Sequence, residues 1–128
     1  MAWLPVTPPQ RRPIEESLAA ISDFIDVNES WVIEGCYTDL LELLANEADE
    51  FIFLNLKMDN CIANALVRPF EAHKFSSAEA QEQNQTLLLQ WIREYKSRED
   101  ECSYSAHRKF FDKFNGKKTE NTTNFNLE

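Results

Sequence analysis

The sequence is poor in the residue types that shape phosphate-binding loops, disulfide frameworks and zinc sites. It has only two glycines, Gly35 and Gly116, in 128 residues. Its three cysteines, Cys36, Cys61 and Cys102, are odd in number and widely spaced, and no C-x-x-C pair occurs. Disulfide scaffolds and zinc sites use paired cysteines at short spacings. We therefore expect three reduced thiols, some of them buried as small apolar side chains.

Positive charge and long apolar runs are also scarce. The chain has 13 Lys and Arg against 22 Asp and Glu, for a net charge of −9. Nucleic-acid binding needs a basic surface that neutralises phosphates, so we expect no nucleic-acid partner. No apolar run approaches the roughly 20 residues that cross a bilayer, and the N-terminus lacks the pattern of a secretion signal. We expect a soluble, cytoplasmic protein without membrane contact.

Apolar residues are plentiful and predict a folded domain. Hydrophobic residues make up 43% of the chain and aromatic residues 12%, which argues against disorder. The length suits one domain, which we assign to residues 1–118. A helix is predicted from about 13 to 27, because Pro13 suits a first helical turn and apolar residues follow at spacings of three and four. These residues are Ile14, Leu18, Ile21, Phe24 and Ile25.

The next segment has the pattern of a β–α–β unit. Residues 31–33 form a short β-branched and aromatic run that predicts a strand, and Thr38 is placed to cap a following helix. Residues 51–54 are apolar at every position, which is typical of a parallel strand covered on both faces. This order predicts an α/β fold with a short parallel sheet.

The C-terminal half is predicted to be mostly helical. Helices are expected at about 58–67, at about 76–97 and at about 104–114. Ser76 and Glu79 have the spacing of a capping box for the second of these helices. Residues 119–128 are polar and predict a frayed, flexible tail.

Five short segments resemble small bacterial P-loop proteins related to adenylate and shikimate kinases. Residues 31–37, WVIEGCY, are similar to a W-V-I-[DE]-G-x-Y segment, and residues 51–56, FIFLNL, resemble the strand that follows it. Residues 68–75, RPFEAHKF, resemble an R-P-W-E-P-H-K-Y stretch in the lid region. Residues 91–95 and 114–118 also fit, so the resemblance covers about residues 2–118.

The resemblance implies an incomplete P-loop kinase-like fold of three layers, α/β/α. Relatives of this kind carry a first strand, a G-x-x-G-x-G-K-[ST] loop and a helix before the segment that matches Ala2–Pro5. The 128 residues contain no such loop. That loop holds the phosphates and magnesium, so ATP and Mg²⁺ are expected to bind only if the missing segment is present. The first strand would lie in the middle of the sheet, so its loss predicts an open strand edge.

The resemblance also implies candidate site residues. Glu34 would face the nucleotide or the acceptor at the end of a strand; its alternative is a plain surface carboxylate. Arg68, His73 and Lys74 would form a phosphate-binding lid, with Arg93 facing it; their alternative is a set of solvated surface charges. The lid departs from the family pattern at three positions, which are Phe70, Ala72 and Phe75. We expect His107, by contrast, to be a packed or half-buried side chain.

Two classes of function remain open. In a full-length form the protein would be an ATP-dependent small-molecule phosphotransferase, which this chain alone would not perform. Alternatively, it is a non-catalytic protein that acts through self-association or a partner, with a homo-oligomer formed through the open strand edge. A third candidate function is to bind a small phosphorylated metabolite through Arg68, Lys74 and Arg93. No metal site made by the protein alone is expected.

Overall fold

A computed structural model of the protein describes residues 10–124 as a mixed α and β structure with a small parallel sheet. Helices and strands follow one another in a simple order, with one 3-10 helix, Glu42–Glu47, directly after the second α-helix. The other elements are α1 (Ile14–Asp26), α2 (Thr38–Leu41), β1 (Glu50–Leu54), α3 (Met58–Leu66), α4 (Ala78–Arg93), α5 (Tyr104–Lys113) and β2 (Lys117–Asn121).

The first helix confirms the prediction made from its apolar stripe. It begins directly after Pro13, and its buried apolar residue Ile21 packs with Leu40 and Leu44 in a small core. Leu40 and Leu44 come from α2 and from the 3-10 helix that continues it. The helix predicted from Thr38 is therefore present, although only its first turn is α-helical.

The strand predicted at residues 31–33 is wrong. This segment forms no ladder with any strand in the described part of the chain, although Ile33 packs against the small core. Val32 points away and is 89% exposed. A strand needs a hydrogen-bonding neighbour to satisfy its backbone groups, and the apolar pattern alone did not reveal that this neighbour is missing.

The two strands of the sheet are parallel, with Glu50 opposite Lys117 and Leu54 opposite Asn121. The prediction that residues 119–128 are a frayed tail is therefore wrong for 119–121, and residues 125–128 lie outside the described part. Gly116 allows this pairing, because a Cβ atom there would lie 2.7 Å from the carbonyl oxygen of Asp49. The sequence of β2 is charged and polar, so its composition does not predict a strand. The strand forms because β1 provides a hydrogen-bonding partner.

One face of β1 is packed and the other is open. Phe51 and Phe53 turn toward α5, where the Phe51 ring centroid lies 4.8 Å from that of Phe110. The alternate residues Ile52 and Leu54 are 50% and 57% exposed. The prediction that both faces of this strand are covered is wrong, because the described residues place helices on one side only.

The N-cap of helix α4 lies one residue later than predicted. The hydroxyl of Ser77, not that of Ser76, accepts a hydrogen bond from the backbone N–H of Ala80 at 3.1 Å. The helix ends at Arg93 rather than near residue 97, and turns follow it. The predicted helices at about 58–67 and 104–114 are confirmed within one residue at each end.

In the part of the chain that the structure describes, no helix combines the length and the apolar character that crossing a bilayer requires.

Candidate functional site

The acidic residue predicted for the site, Glu34, is exposed in an extended segment. The prediction placed it at the C-terminal end of a strand, and that strand does not form. No hydrogen bond or ion pair between described residues involves its side chain. Its proposed role toward a nucleotide or an acceptor stays a prediction.

The predicted lid residues Arg68, His73 and Lys74 are all exposed in the segment between α3 and α4. Lys74 pairs with Glu71, its Nζ atom lying 3.4 Å from the Oε1 atom. Arg93 is exposed at the end of α4. Within residues 10–124 no hydrogen bond or ion pair joins any two of these predicted residues. Their proposed role as a phosphate-binding lid stays a prediction.

The loop that carries the predicted lid is anchored from α4. The Gln81 side chain accepts a hydrogen bond from the backbone N–H of Glu71 at 2.7 Å and donates one to the carbonyl of Pro69 at 3.1 Å. This role of Gln81 could not be predicted from the sequence, because a single glutamine on a polar helix carries no pattern that points to a loop.

A cavity of about 300 Å³ lies between the start of α3 and the end of α4. Its charged lining residues are Lys57, Lys96 and Arg98. The remaining lining is mostly apolar and consists of Leu56, Met58, Cys61, Trp91, Ile92 and Tyr95. The volume is at the lower end of ligand pockets, which span about 300–1,000 Å³.

Arg98 is already engaged within the protein. Its guanidinium lies 4.1 Å from the centroid of the Trp91 ring and donates to the backbone carbonyls of Trp91 and Cys102. It also forms an ion pair with Asp100 at 3.0 Å. These partners engage the Arg98 guanidinium, and Lys57 and Lys96 are the other cations of the lining.

A chain of hydrogen bonds runs from the turn after α4 through α5 to the segment before α2. The Tyr95 hydroxyl lies 2.6 Å from Nδ1 of His107, and Nε2 of His107 lies 2.8 Å from the carbonyl oxygen of Cys36. A carbonyl can only accept, so Nε2 carries the proton. In the neutral imidazole Nδ1 then accepts from the Tyr95 hydroxyl. The prediction of a packed or half-buried His107 is confirmed.

The surroundings keep this pair uncharged. Burial lowers the pKa of His107, with the positive charge of Arg98 acting in the same direction. Burial likewise raises the pKa of Tyr95 above its ordinary value. Both ring nitrogens of His107 have protein partners, so the ring connects the turn after α4 to the segment before α2.

Beside this chain two thiols lie in contact. The Sγ atoms of Cys36 and Cys102 are 3.5 Å apart, although the residues are 66 positions apart in sequence. The hydrogen bond with Cys102 lowers the pKa of Cys36, and the Arg11 guanidinium adds to the effect. The same hydrogen bond, together with burial, raises the pKa of Cys102. Cys36 is therefore the thiol of the pair that ionises first.

The third cysteine is separate from this pair. Cys61 lies on α3 and lines the cavity, where its thiol contacts the Leu56 carbonyl at 3.8 Å. Burial raises its pKa. No group of three or more His, Cys, Asp and Glu side chains within residues 10–124 is arranged to hold a metal ion. Spacing along the sequence gave no signal for the contact between Cys36 and Cys102.

A further apolar feature is the open β1 surface, which we define as the side chains of Ile52 and Leu54 together with the strand edge opposite β2. Both side chains are at least half exposed. The sheet has two strands among the described residues, so each strand has one edge without a partner. Proteins usually protect such edges with charges, proline or a covering element. The residues 51–54 include no charge and no proline.

Comparison with known proteins gave no match: no protein-family model, no curated protein and no solved structure is detectably similar to this chain.

Proposed function

We propose that this protein is a P-loop kinase-like α/β domain that transfers no phosphoryl group in this form. The observation that carries the proposal is the parallel pairing of β1 with β2. Parallel neighbours need a long crossover, here the helices α3, α4 and α5, as in doubly wound nucleotide-binding folds. Residues 51–56 also resemble a strand of such kinases, which supports the assignment of β1 to a fold of this kind. In a three-layer version of the fold, another element would cover Ile52 and Leu54.

The absence of phosphoryl transfer follows from the groups that the chain offers. Phosphoryl transfer depends on positioned backbone N–H groups, a lysine, and a hydroxyl that holds Mg²⁺. The 128 residues contain no G-x-x-G-x-G-K-[ST] loop. The cations Arg68, Lys74 and Arg93 are exposed. An ATP-dependent small-molecule phosphotransferase would need those missing groups added to this domain.

Calorimetric titration with Mg-ATP, together with a phosphate-release assay, tests this proposal. We expect no saturable heat and no phosphate release above the protein-free rate. Saturable binding that needs Mg²⁺ and is lost in Arg68→Ala and Lys74→Ala variants would show that the chain holds a working nucleotide site. Binding of inorganic phosphate without Mg-ATP binding would instead favour the phosphorylated-metabolite function.

A second candidate function is self-association, which the open β1 surface favours. A second copy of the chain is the occupant that fits best, because two free β1 edges can pair about a two-fold axis and bring Ile52 and Leu54 of the two copies side by side. The apolar run between Glu50 and Asn55 carries no charge that would oppose this pairing. The chain would then act as a non-catalytic, self-associating protein.

Sedimentation equilibrium of matched variants tests this association. Ile52→Lys places a charge on the open β1 surface, while Val67→Lys places the same charge at the end of α3, where Val67 is 80% exposed. We expect the wild type and Val67→Lys to be dimers and Ile52→Lys to be a monomer. A monomeric wild type, or a dimer that Ile52→Lys leaves intact, would contradict the assignment.

A further inference from the structure

We propose that Cys36 and Cys102 form a reversible dithiol–disulfide pair, in which a peroxide oxidises Cys36 and Cys102 resolves the product. The proposal rests on the 3.5 Å contact between the two sulfur atoms. It is independent of any nucleotide chemistry and of the open β1 surface. It also assigns a chemical role to a site that the sequence did not indicate.

The backbone around the two cysteines already holds them side by side. The N–H and the hydroxyl of Thr38 both donate to the carbonyl of Glu101, at 3.1 Å and 2.6 Å. His107 donates to the Cys36 carbonyl at 2.8 Å. The Thr38 bonds fix the chain two residues after Cys36 to Glu101, the residue before Cys102. A disulfide requires the sulfurs to close to about 2.05 Å, and rotation about the side-chain bonds is the motion available for it.

The two cysteines differ in exposure, and this difference assigns the attack on peroxide to Cys36 and the second step to Cys102. Cys36 is half-buried, whereas Cys102 is 7% exposed. A peroxide in solution therefore reaches Cys36 first. The thiolate is the attacking form of a cysteine, and the influence of Cys102 and Arg11 favours the thiolate at Cys36. Buried Cys102 keeps its proton and is in place for the second step.

The chemistry balances with hydrogen peroxide as the oxidant. The Cys36 thiolate attacks one peroxide oxygen, so an S–O bond forms, the O–O bond breaks, and hydroxide leaves and takes up a proton to become water. Cys102 then attacks the sulfur of the Cys36 sulfenic acid. The S–S bond forms, the S–O bond breaks, and a second water leaves with the proton of Cys102. Two thiols and one peroxide yield one disulfide and two waters, and a small thiol reverses the reaction by exchange.

Peptide mapping of the whole protein after peroxide treatment tests the proposal. Cys36, Cys61 and Cys102 fall on three different tryptic peptides. We expect an intact mass lower by about 2 Da, for the loss of two hydrogens, a cross-link between the peptides of Cys36 and Cys102, and an alkylatable Cys61. Dithiothreitol should restore the reduced mass. Over-oxidised single cysteines without this cross-link, or cross-links that involve Cys61 equally, would overturn the proposal.

Single substitutions separate the two roles. In Cys102→Ser, Cys36 should accumulate as a sulfenic acid that dimedone captures, while in Cys36→Ser the peptide of Cys102 should stay reduced. Cys61→Ser is the matched control and should form the disulfide at the wild-type rate. Dimedone capture at Cys102 rather than at Cys36 would reverse the assigned roles. The wild-type map decides whether the bond forms even if a variant fails to fold.

The oxidised protein should also be more stable. The bond would close a loop of 66 residues, and cross-links of this length restrict the unfolded chain strongly. We expect the melting temperature of the oxidised wild type to rise by about 10 °C, reversibly with dithiothreitol. An unchanged or lower melting temperature, with the cross-link present, would show that the bond strains this site and would contradict a built pair.

Discussion

His107 connects two segments that lie far apart in the sequence. Its two ring nitrogens connect Tyr95, in the turn after α4, to the Cys36 carbonyl before α2. Removing the ring leaves a half-buried hydroxyl and a carbonyl without partners. We expect His107→Ala to lower the free energy of unfolding by about 1–3 kcal/mol. Urea denaturation measures this loss, and His73→Ala, in an exposed loop, is the control that should stay within about 0.5 kcal/mol of the wild type.

The same residue should make the protein sensitive to mild acid. The ordinary pKa of histidine is 6.5, and burial lowers that of His107 in the folded state. Below pH 6.5 His107 therefore binds a proton in the unfolded chain but not yet in the folded chain, so the free energy of unfolding falls as the pH falls. Above pH 6.5 the stabilising contribution of neutral His107 is fully present.

Urea denaturation between pH 7 and pH 5 tests this direction of the pH dependence. The wild type and His73→Gln should both lose stability toward low pH. His107→Gln should have a shallower slope, because it carries no titrating group between Tyr95 and Cys36. Equal slopes for His107→Gln and the wild type would assign the pH dependence to other groups.

At the scale of elements, the boundary of α4 gives a sharp comparison between neighbouring serines. Ser77 accepts the hydrogen bond of the Ala80 N–H, and Ser76 does not. We expect Ser77→Ala to destabilise the protein by about 1 kcal/mol, the usual contribution of an N-cap side chain. Ser76→Ala should have almost no effect on the urea midpoint. A larger loss for Ser76→Ala would restore the capping box that the sequence suggested.

Helices were predictable from the sequence, and most of the sheet was not. The stripe from Ile14 to Ile25 and the limits of α3 and α5 depend on residues close in sequence, and the structure confirms them. Strands depend on partners far away. Residues 31–33 have the composition of a strand but no neighbour, while β2 is charged and polar and pairs with β1. Only the three-dimensional structure brings residues 50–54 and 117–121 together.

The same distance in sequence explains what could be foreseen of the candidate sites. The cations Arg68, Lys74 and Arg93 stand out in the sequence, and the fold leaves all three exposed. Cys36 and Cys102 carry no motif, but the bonds around Thr38 bring them into contact. Composition identified the types of residue, and tertiary packing decided which of them meet.

At the scale of the whole molecule, two separate packings hold the chain. Helix α1 closes a small aliphatic core with Leu40 and Leu44, and α5 packs aromatic rings against one face of β1. Arg108 on α5 adds a double hydrogen bond to Glu120 of β2, at 3.1 Å and 2.6 Å. This pair joins β2 to the helix that covers β1. Neither packing covers the open β1 surface, where Ile52 and Leu54 are 50% and 57% exposed.

Net charge should set how strongly two copies associate through the open β1 surface. Each copy carries a net charge of −9, so two copies repel each other while Ile52 and Leu54 attract. Salt screens the repulsion over a distance of about 10 Å at 0.1 M and leaves the burial of apolar area in place. We expect the dimer dissociation constant, measured by sedimentation equilibrium, to fall as NaCl rises from 0.02 M to about 0.5 M. Val67→Lys should follow the wild type, while Ile52→Lys should stay monomeric at every salt concentration. Association that weakens with salt would mean that ion pairs, rather than apolar strands, join the copies.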